Sequence, residues 1–224
     1  MRKTERLRSW TGVAAVVLWV VGAVVGSSGA PSESASETEW LAHVENHATS
    51  ILAGGWIWMA GWVAFLWFAI VLRERLAAAE GGSRTFANGA FVGAVLVGAF
   101  MMLTPGGEIA AAITAEEQEI SASAVAALRL VGEAFISAAT LAATLLMLGS
   151  GVVVLRSRIF PKVWAWLSFV LAGLLLIPPV GWAALLLGLP LWVIGTSVLV
   201  RRVEATLPPA DTEAGVGALQ HKAA

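Results

Sequence analysis

The chain has 224 residues, of which 58% are hydrophobic and 13% are charged, and its mean hydropathy is +0.81. Soluble globular domains carry about a quarter charged residues, so this excess of apolar side chains predicts a protein that faces lipid. The formal net charge of −1 leaves no basic surface for a nucleic-acid backbone and argues against nucleic-acid binding. The sequence contains no cysteine, which excludes disulfides and Cys-based metal sites.

Apolar runs of the length that a membrane span requires, about 20 residues, predict helices at about 10–27, 51–72, 86–103 and 131–155. A further apolar tract covers residues 160–200 and is too long for one span. Pro178 and Pro179 interrupt it and predict a hairpin of two spans, 160–178 and 181–200. The predicted fold class is all-α, a bundle of six transmembrane helices in one domain (1–204) with a disordered cytoplasmic tail (205–224).

The positions of the cations predict how this bundle is oriented. Lys and Arg in short loops remain on the cytoplasmic side of a membrane. Under a six-span count, twelve of the fourteen Lys and Arg residues flank the spans on one side: Arg2, Lys3, Arg6, Arg8, Arg73, Arg75, Arg84, Arg156, Arg158, Lys162, Arg201 and Arg202. Residues 28–49 and 104–122 contain several glutamates and no Lys or Arg. We therefore expect a multi-pass protein of the cell membrane with both termini cytoplasmic.

An alternative reading concerns the N-terminus, where a basic start, an apolar run and small residues at 28–30 are also typical of a cleavable signal peptide. Cleavage would leave five spans. We favour retention, because the run is long for a signal peptide and contains Gly22 and Gly26 at helix-packing spacing.

Two outer segments join the predicted spans. Residues 27–39 are small and polar and predict a flexible linker. Ser36 and Glu39 have capping-box spacing, which predicts a short helix that carries Trp40 and Val44 along the membrane surface towards the second span.

The second predicted span contains four tryptophans. Trp58 and Trp62 lie four residues apart, on one helix face with the glycines at 54, 55 and 61, and predict an aromatic slot for a flat ligand such as a quinone or a lipid. Packing of bulky side chains against lipid or against glycine-lined neighbours explains the same pattern.

Ionisable residues near the outer membrane surface give a second candidate site. His43 and His47 share a face if residues 40–50 are helical, and with Glu133 they predict an outer-face site for a divalent metal. The remaining histidine, His221, lies in the tail. Arg129 and Glu133 are also four residues apart, which predicts a structural ion pair at the outer interface. Neither pattern matches a known catalytic motif, and two surface histidines without a ligand role remain the simpler interpretation.

The loop after the fourth predicted span reads Arg156-Ser157-Arg158-Ile159-Phe160-Pro161-Lys162-Val163-Trp164. It resembles a large group of uncharacterised six-span bacterial membrane proteins, a domain of unknown function, which leave the fourth span through an Arg-Ser-x-x-x-Pro-[Arg/Lys]-Trp-like loop. Here Val163 separates Lys162 from Trp164. The resemblance covers about residues 125–200 and implies six helices and a bacterial plasma membrane, without catalytic residues.

These patterns lead us to expect a non-enzymatic binding, sensory or accessory subunit without a cofactor, embedded in the lipid bilayer. A membrane-protein partner or a homo-oligomer is compatible with the same sequence. The alternative is a small transporter or metal-dependent membrane enzyme that uses His43, His47 and Glu133.

Overall fold

The computed structural model describes residues 10–206 except residues 33 and 118, and only the backbone of residues 116, 179 and 204–206. All of its described elements are helices, which confirms the all-α class. They are α1 (Thr11–Gly26), α2 (Glu37–Glu80), α3 (Thr85–Leu103), α4 (Gly106–Glu117), α5 (Ala122–Ser157), α6 (Lys162–Leu175), α7 (Pro178–Ala183), a π-helical turn (Ala184–Gly188) and α8 (Leu189–Thr206). The first four cations, most of the predicted tail and His221 lie outside the described residues.

Four stretches within the described residues are long and apolar enough to cross a membrane: Glu37–Glu80, Thr85–Ala115, Ala122–Ser157 and Val180–Val203. Two further apolar helices, Thr11–Gly26 and Lys162–Leu175, are shorter. At 1.5 Å per residue they extend about 24 Å and 21 Å, against a hydrocarbon core of about 30 Å. The fold is thus a helical bundle in which four helices have the full length of a span.

Helix α2 begins with the expected capping box and is much longer than expected. The Ser36 hydroxyl accepts from the backbone N–H of Glu39, and the Glu39 carboxylate accepts from the backbone N–H of Ser36 at 2.8 Å. The helix then continues for 44 residues, so residues 37–50 belong to the same helix as the second predicted span. A kink occurs at His47, whose ring Nδ1–H donates to the His43 carbonyl at 3.2 Å and so competes with the regular backbone bond.

The two prolines break the last apolar tract as expected. Helix α6 ends at Leu175, and the prolines occupy the first positions of α7, where a missing N–H costs no helical hydrogen bond. Helix α8 returns along α6. The indole N–H of Trp164 donates to the Thr196 hydroxyl at 3.0 Å, and that of Trp192 donates to the Ser168 hydroxyl at 2.9 Å.

Glycines allow the closest helix contacts. A Cβ at Gly22 would lie 2.6 Å from the backbone nitrogen of Trp58, and a Cβ at Gly54 would overlap the backbone of Gly26. Helices α1 and α2 therefore pack backbone to backbone. Gly93 does the same for α3 and α5, since a Cβ there would lie 2.5 Å from the backbone nitrogen of Leu146. Both contacts form within one chain.

The described cations, apart from Arg129, gather at one end of the bundle, which we call the arginine end. Contacts between different helices show this: the guanidinium of Arg156 in α5 lies over Phe86 in α3, and that of Arg201 in α8 lies over Trp10, just before α1. The side chain of Arg73 donates to Asn88 of α3 at 3.0 Å. The charge separation seen in the sequence is therefore also a separation in space.

The opposite end carries a small helical cap. It comprises residues 37–51 of α2, helix α4 and the first turns of α5, and its buried hydrophobic residues form a separate cluster of Val44, Ala48, Ile51, Ala111, Ala112 and Val125. Helix α4 was not expected, because residues 104–122 were interpreted only as an acidic loop. A Cβ at Gly107 would overlap the Leu128 carbonyl, so this glycine allows α4 to lie directly on α5.

Candidate binding site at the cap end

A cavity of about 270 Å³ lies where the cap meets α1 and α2. Its floor is α2, at Gly54, Gly55 and Trp58. Helix α1 forms one wall and the α3–α4 turn forms the other, and these two elements flank α2 without an extensive contact between them. We call this cavity the cap cleft. The two floor glycines also allow close packing beside the cleft, since a Cβ at Gly54 would overlap the Gly26 backbone and a Cβ at Gly55 would lie 2.7 Å from the Ile109 side chain.

Polar groups line the cap side of the cleft. Trp40, His43 and Glu108 belong to its lining, and His43 is only 7% exposed. The indole Nε1 of Trp40 and the ring Nδ1 of His43 are buried and have no hydrogen-bond partner among the described residues. Buried polar atoms without a partner are costly, so both atoms are candidates for a hydrogen bond to a group that the described residues do not supply.

Glu108 is the one formally charged side chain among the residues that line the cleft. It lies beyond the apolar run 86–103, and burial raises the pKa of its carboxyl group, whereas the nearby positive charge of Arg129 acts in the opposite direction. Arg129 itself does not line the cleft. Its guanidinium carbon lies 3.4 Å from the centre of the Trp40 ring, a cation–π contact that ties α5 to α2 in the cap.

His43 is neutral in this environment. It precedes the apolar run 51–72, and burial lowers the pKa of its imidazole, with a smaller contribution from His47 in the same direction. A hydrogen bond to the Gly29 backbone acts against this. A neutral histidine keeps one ring nitrogen free to accept a hydrogen bond.

The two tryptophans of the predicted slot have different positions. Trp58 lines the cleft, and its indole N–H donates to the Met101 carbonyl in the last turn of α3 at 2.8 Å, so only its ring is available to a ligand. Trp62 is 2% exposed and packs on Trp19 with ring centres 4.2 Å apart. Trp62 is therefore buried against α1 and is not among the residues that line the cleft.

The candidate metal ligands are brought together only in part. The rings of His43 and His47 stack, with centres 4.6 Å apart and planes 27° apart. Nitrogen lone pairs lie in the ring planes, so stacked rings do not direct them at a common point. Among the described residues, no group of three His, Cys, Asp or Glu side chains is placed to hold a metal ion, and Glu133 joins neither histidine in such a group.

The predicted Arg129–Glu133 pair stays a prediction, and the contact seen for Arg129 is with Trp40.

The chain matches no protein-family model, no curated protein sequence and no solved structure. The resemblance of residues 125–200 to six-span bacterial proteins therefore stays an expectation. What the residues of the cap cleft bind must be argued from their own chemistry.

Sequence reasoning missed two parts of this site. Trp40 was expected only to lie along the membrane surface, and Glu108 was counted only among the glutamates of residues 104–122. The available signal was composition: Thr104-Pro105-Gly106-Gly107 follows an apolar run and precedes an acidic residue, which indicates a turn that starts a new helix.

Proposed function

We propose that this chain is an integral membrane protein of six spans that binds a small amphiphilic molecule in the cap cleft and does not convert it chemically. The observation that carries the proposal is the cleft itself, with a glycine floor, the ring of Trp58 on one side and unpartnered polar atoms at the cap. A volume of about 270 Å³ is slightly below the range of about 300–1,000 Å³ that is typical for drug-sized ligands, and it suits a headgroup or a short-chain molecule.

The segregation of charge supports the six-span arrangement. If the arginine end faces the cytoplasm, the cap and its glutamates lie outside, in agreement with the positive-inside rule. The short helices α1 and α6 then cross the membrane as spans of less than full length, which local thinning of the bilayer accommodates at modest cost. The cleft lies at the outer ends of the apolar runs, where lipid headgroups meet acyl chains.

The chain's lack of cysteine makes the topology directly testable. We would introduce single cysteines at Ser32, Ser83 and Leu176, which are all exposed, and label intact cells with a membrane-impermeant maleimide. Six spans with cytoplasmic termini predict labelling at 32 and 176 in intact cells, and labelling at 83 only after permeabilisation. Labelling at 83 in intact cells would reject the orientation.

Binding is tested by filling the cleft. Ala23 lines the cleft from α1 and is exposed to it, so Ala23→Phe occupies the space without displacing a buried neighbour. Ala14→Phe is the matched control, at an exposed position of α1 that does not line the cleft. We would titrate the purified protein in a neutral detergent with octylamine, octanol and octanoate by calorimetry. Saturable binding of at least one probe that Ala23→Phe abolishes and Ala14→Phe retains is the expected result, and equal binding by both variants would reject the cleft as the site.

A further inference from the structure

The charge of the side chains that line the cap cleft indicates which headgroups it can bind. Glu108 contributes a carboxylate, and none of the lining residues is a lysine or an arginine. An anionic headgroup would thus meet one like charge and no counter-charge inside the cleft, whereas a cation would meet a carboxylate in a partly enclosed space where charge interactions are stronger than in water.

Burial raises the pKa of the Glu108 carboxyl group, and the positive charge of Arg129 opposes this shift only in part. Arg129 acts on Glu108 from outside the cleft, while its side chain is held over the Trp40 ring at 3.4 Å. Enclosure disfavours an ionised carboxylate and the nearby guanidinium favours it. A ligand cation inside the cleft adds a second positive charge, directly on the side of Glu108 that faces the cavity.

The unpartnered atom of His43 adds a directional requirement. A neutral imidazole nitrogen accepts a hydrogen bond, so a ligand that pairs with it must carry an N–H or O–H donor. The indole N–H of Trp40 is itself a donor, and an ammonium group leaves it unpaired. The ring of Trp58, whose own N–H is already used by Met101, offers an apolar surface that also attracts cations. Glu108, His43 and the Trp58 ring together favour a ligand whose headgroup is positively charged, donates several hydrogen bonds and is attached to an apolar body.

We propose that the cap cleft binds a primary ammonium group, with Glu108 as its counter-charge, His43 as a hydrogen-bond acceptor and the Trp58 ring against its apolar body. This proposal rests on the proposed function of the cleft and specifies its ligand class. A free alkylamine and the ethanolamine headgroup of a phospholipid both present this chemistry.

The test compares headgroups on one chain. Wild-type protein in neutral detergent at pH 7 is titrated with octylamine, octanol, octanoate and octyltrimethylammonium. We expect octylamine to bind at least about tenfold more tightly than octanol and octanoate, since hydrogen bonds to charged groups are roughly twice as strong as neutral ones. Octyltrimethylammonium carries the charge without a donor and should also bind about tenfold more weakly than octylamine.

Two variants test whether Glu108 causes the preference for octylamine. Glu108→Gln should lower octylamine affinity by about tenfold or more, towards that of octanol, whereas Glu117→Gln, an exposed position on the same helix α4, should change it by less than about twofold. Equal octylamine and octanol affinities in the wild type, or an unchanged octylamine affinity in a folded Glu108→Gln protein, would overturn the ammonium proposal. If Glu108→Gln does not fold, the four-probe comparison on the wild type decides alone.

The outcomes separate this proposal from the function on which it rests. Probes that bind without regard to headgroup, but are lost in Ala23→Phe, reject the ammonium and retain the cleft. Binding that persists in Ala23→Phe rejects both. Dihexanoyl phosphatidylethanolamine and phosphatidylcholine then identify the source: Glu108-dependent binding of the ethanolamine lipid assigns the headgroup of a lipid, and binding of octylamine without either lipid assigns a free amine.

Discussion

The two ends of the bundle treat their charged and polar groups differently. At the arginine end, the Glu80 carboxylate accepts from the backbone N–H groups of Phe86 and Ala87 at 3.1 and 2.8 Å and so caps α3. Arg73 and Arg156 also contact side chains of α3. At the cap end, Trp40 and His43 each keep a buried polar atom without a partner beside a cavity. Charged side chains thus join different helices at the arginine end, whereas two buried polar atoms near the cleft at the cap end have no hydrogen-bond partner among the described residues. Trp19, Trp62 and Ser150 carry further buried polar atoms of this kind outside the cleft lining.

The largest effect should come from disturbing the contact between α1 and α2. Gly54→Ala places a methyl group against the backbone of Gly26, and we expect it to lower the free energy of unfolding by about 1–3 kcal/mol and to distort the cleft floor. Reversible unfolding titrations in detergent, together with octylamine binding, would measure both effects. Gly93→Ala should cost a similar amount at the contact between α3 and α5 and leave octylamine binding unchanged.

The matched control for both variants is Gly173→Ala in α6, where a Cβ meets nothing within 4 Å. Alanine restricts the unfolded chain and favours helix, so this change should stabilise the protein by up to about 1 kcal/mol. If Gly173→Ala lowered the free energy of unfolding as much as Gly54→Ala does, helix glycines would be needed here for a reason other than close packing.

A smaller effect should come from the cap that Glu80 provides. Glu80→Ala leaves the N–H groups of Phe86 and Ala87 without their acceptor, and losing a helix cap costs about 0.5–2 kcal/mol. Glu80→Gln retains one acceptor oxygen and should lose less. Both losses are expected in unfolding titrations, with octylamine affinity unchanged because the cleft is at the other end. A change in affinity would mean that the two ends are coupled.

The smallest expected effect is a dependence of the cap on pH. The pKa of His43 is lowered in the folded protein, so the unfolded cap binds a proton more readily. Cap stability is therefore complete above about pH 6.5 and falls as the pH decreases below it, with His47 and Arg129 as the neighbouring positive groups. Hydrogen exchange of amides 40–50, corrected for intrinsic rates, should quicken on acidification, while amides 139–147 in α5 should not. His43→Gln should remove much of this dependence.

Much of the fold can be predicted from the sequence because one or two residues determine where a helix starts or breaks. Ser36 and Glu39 predicted a helix start, and Pro178 and Pro179 predicted the break in the last tract, and both predictions are confirmed. Helix α4 could not be found in the same way, because it is short and is stabilised by its contact with α5 at Gly107, far along the chain.

The candidate site could be predicted only in part. Helical spacing placed Trp58 and Trp62 on one face correctly, but spacing does not reveal which tryptophan a neighbouring helix covers, and Trp19 of α1 covers Trp62. Glu108 and His43 are 65 positions apart in sequence and meet at the cleft through α2, the α3–α4 turn and α4. No local pattern encodes that meeting.

Helix α2 connects these two ends physically. Its 44 residues extend over about 66 Å, more than twice the thickness of the hydrocarbon core, and below the kink at His47 one rigid rod carries the cleft floor, Arg73 and Glu80. Because Glu80 also caps the first turn of α3, one continuous helix sets the distance between the cleft floor and the basic loop at the arginine end.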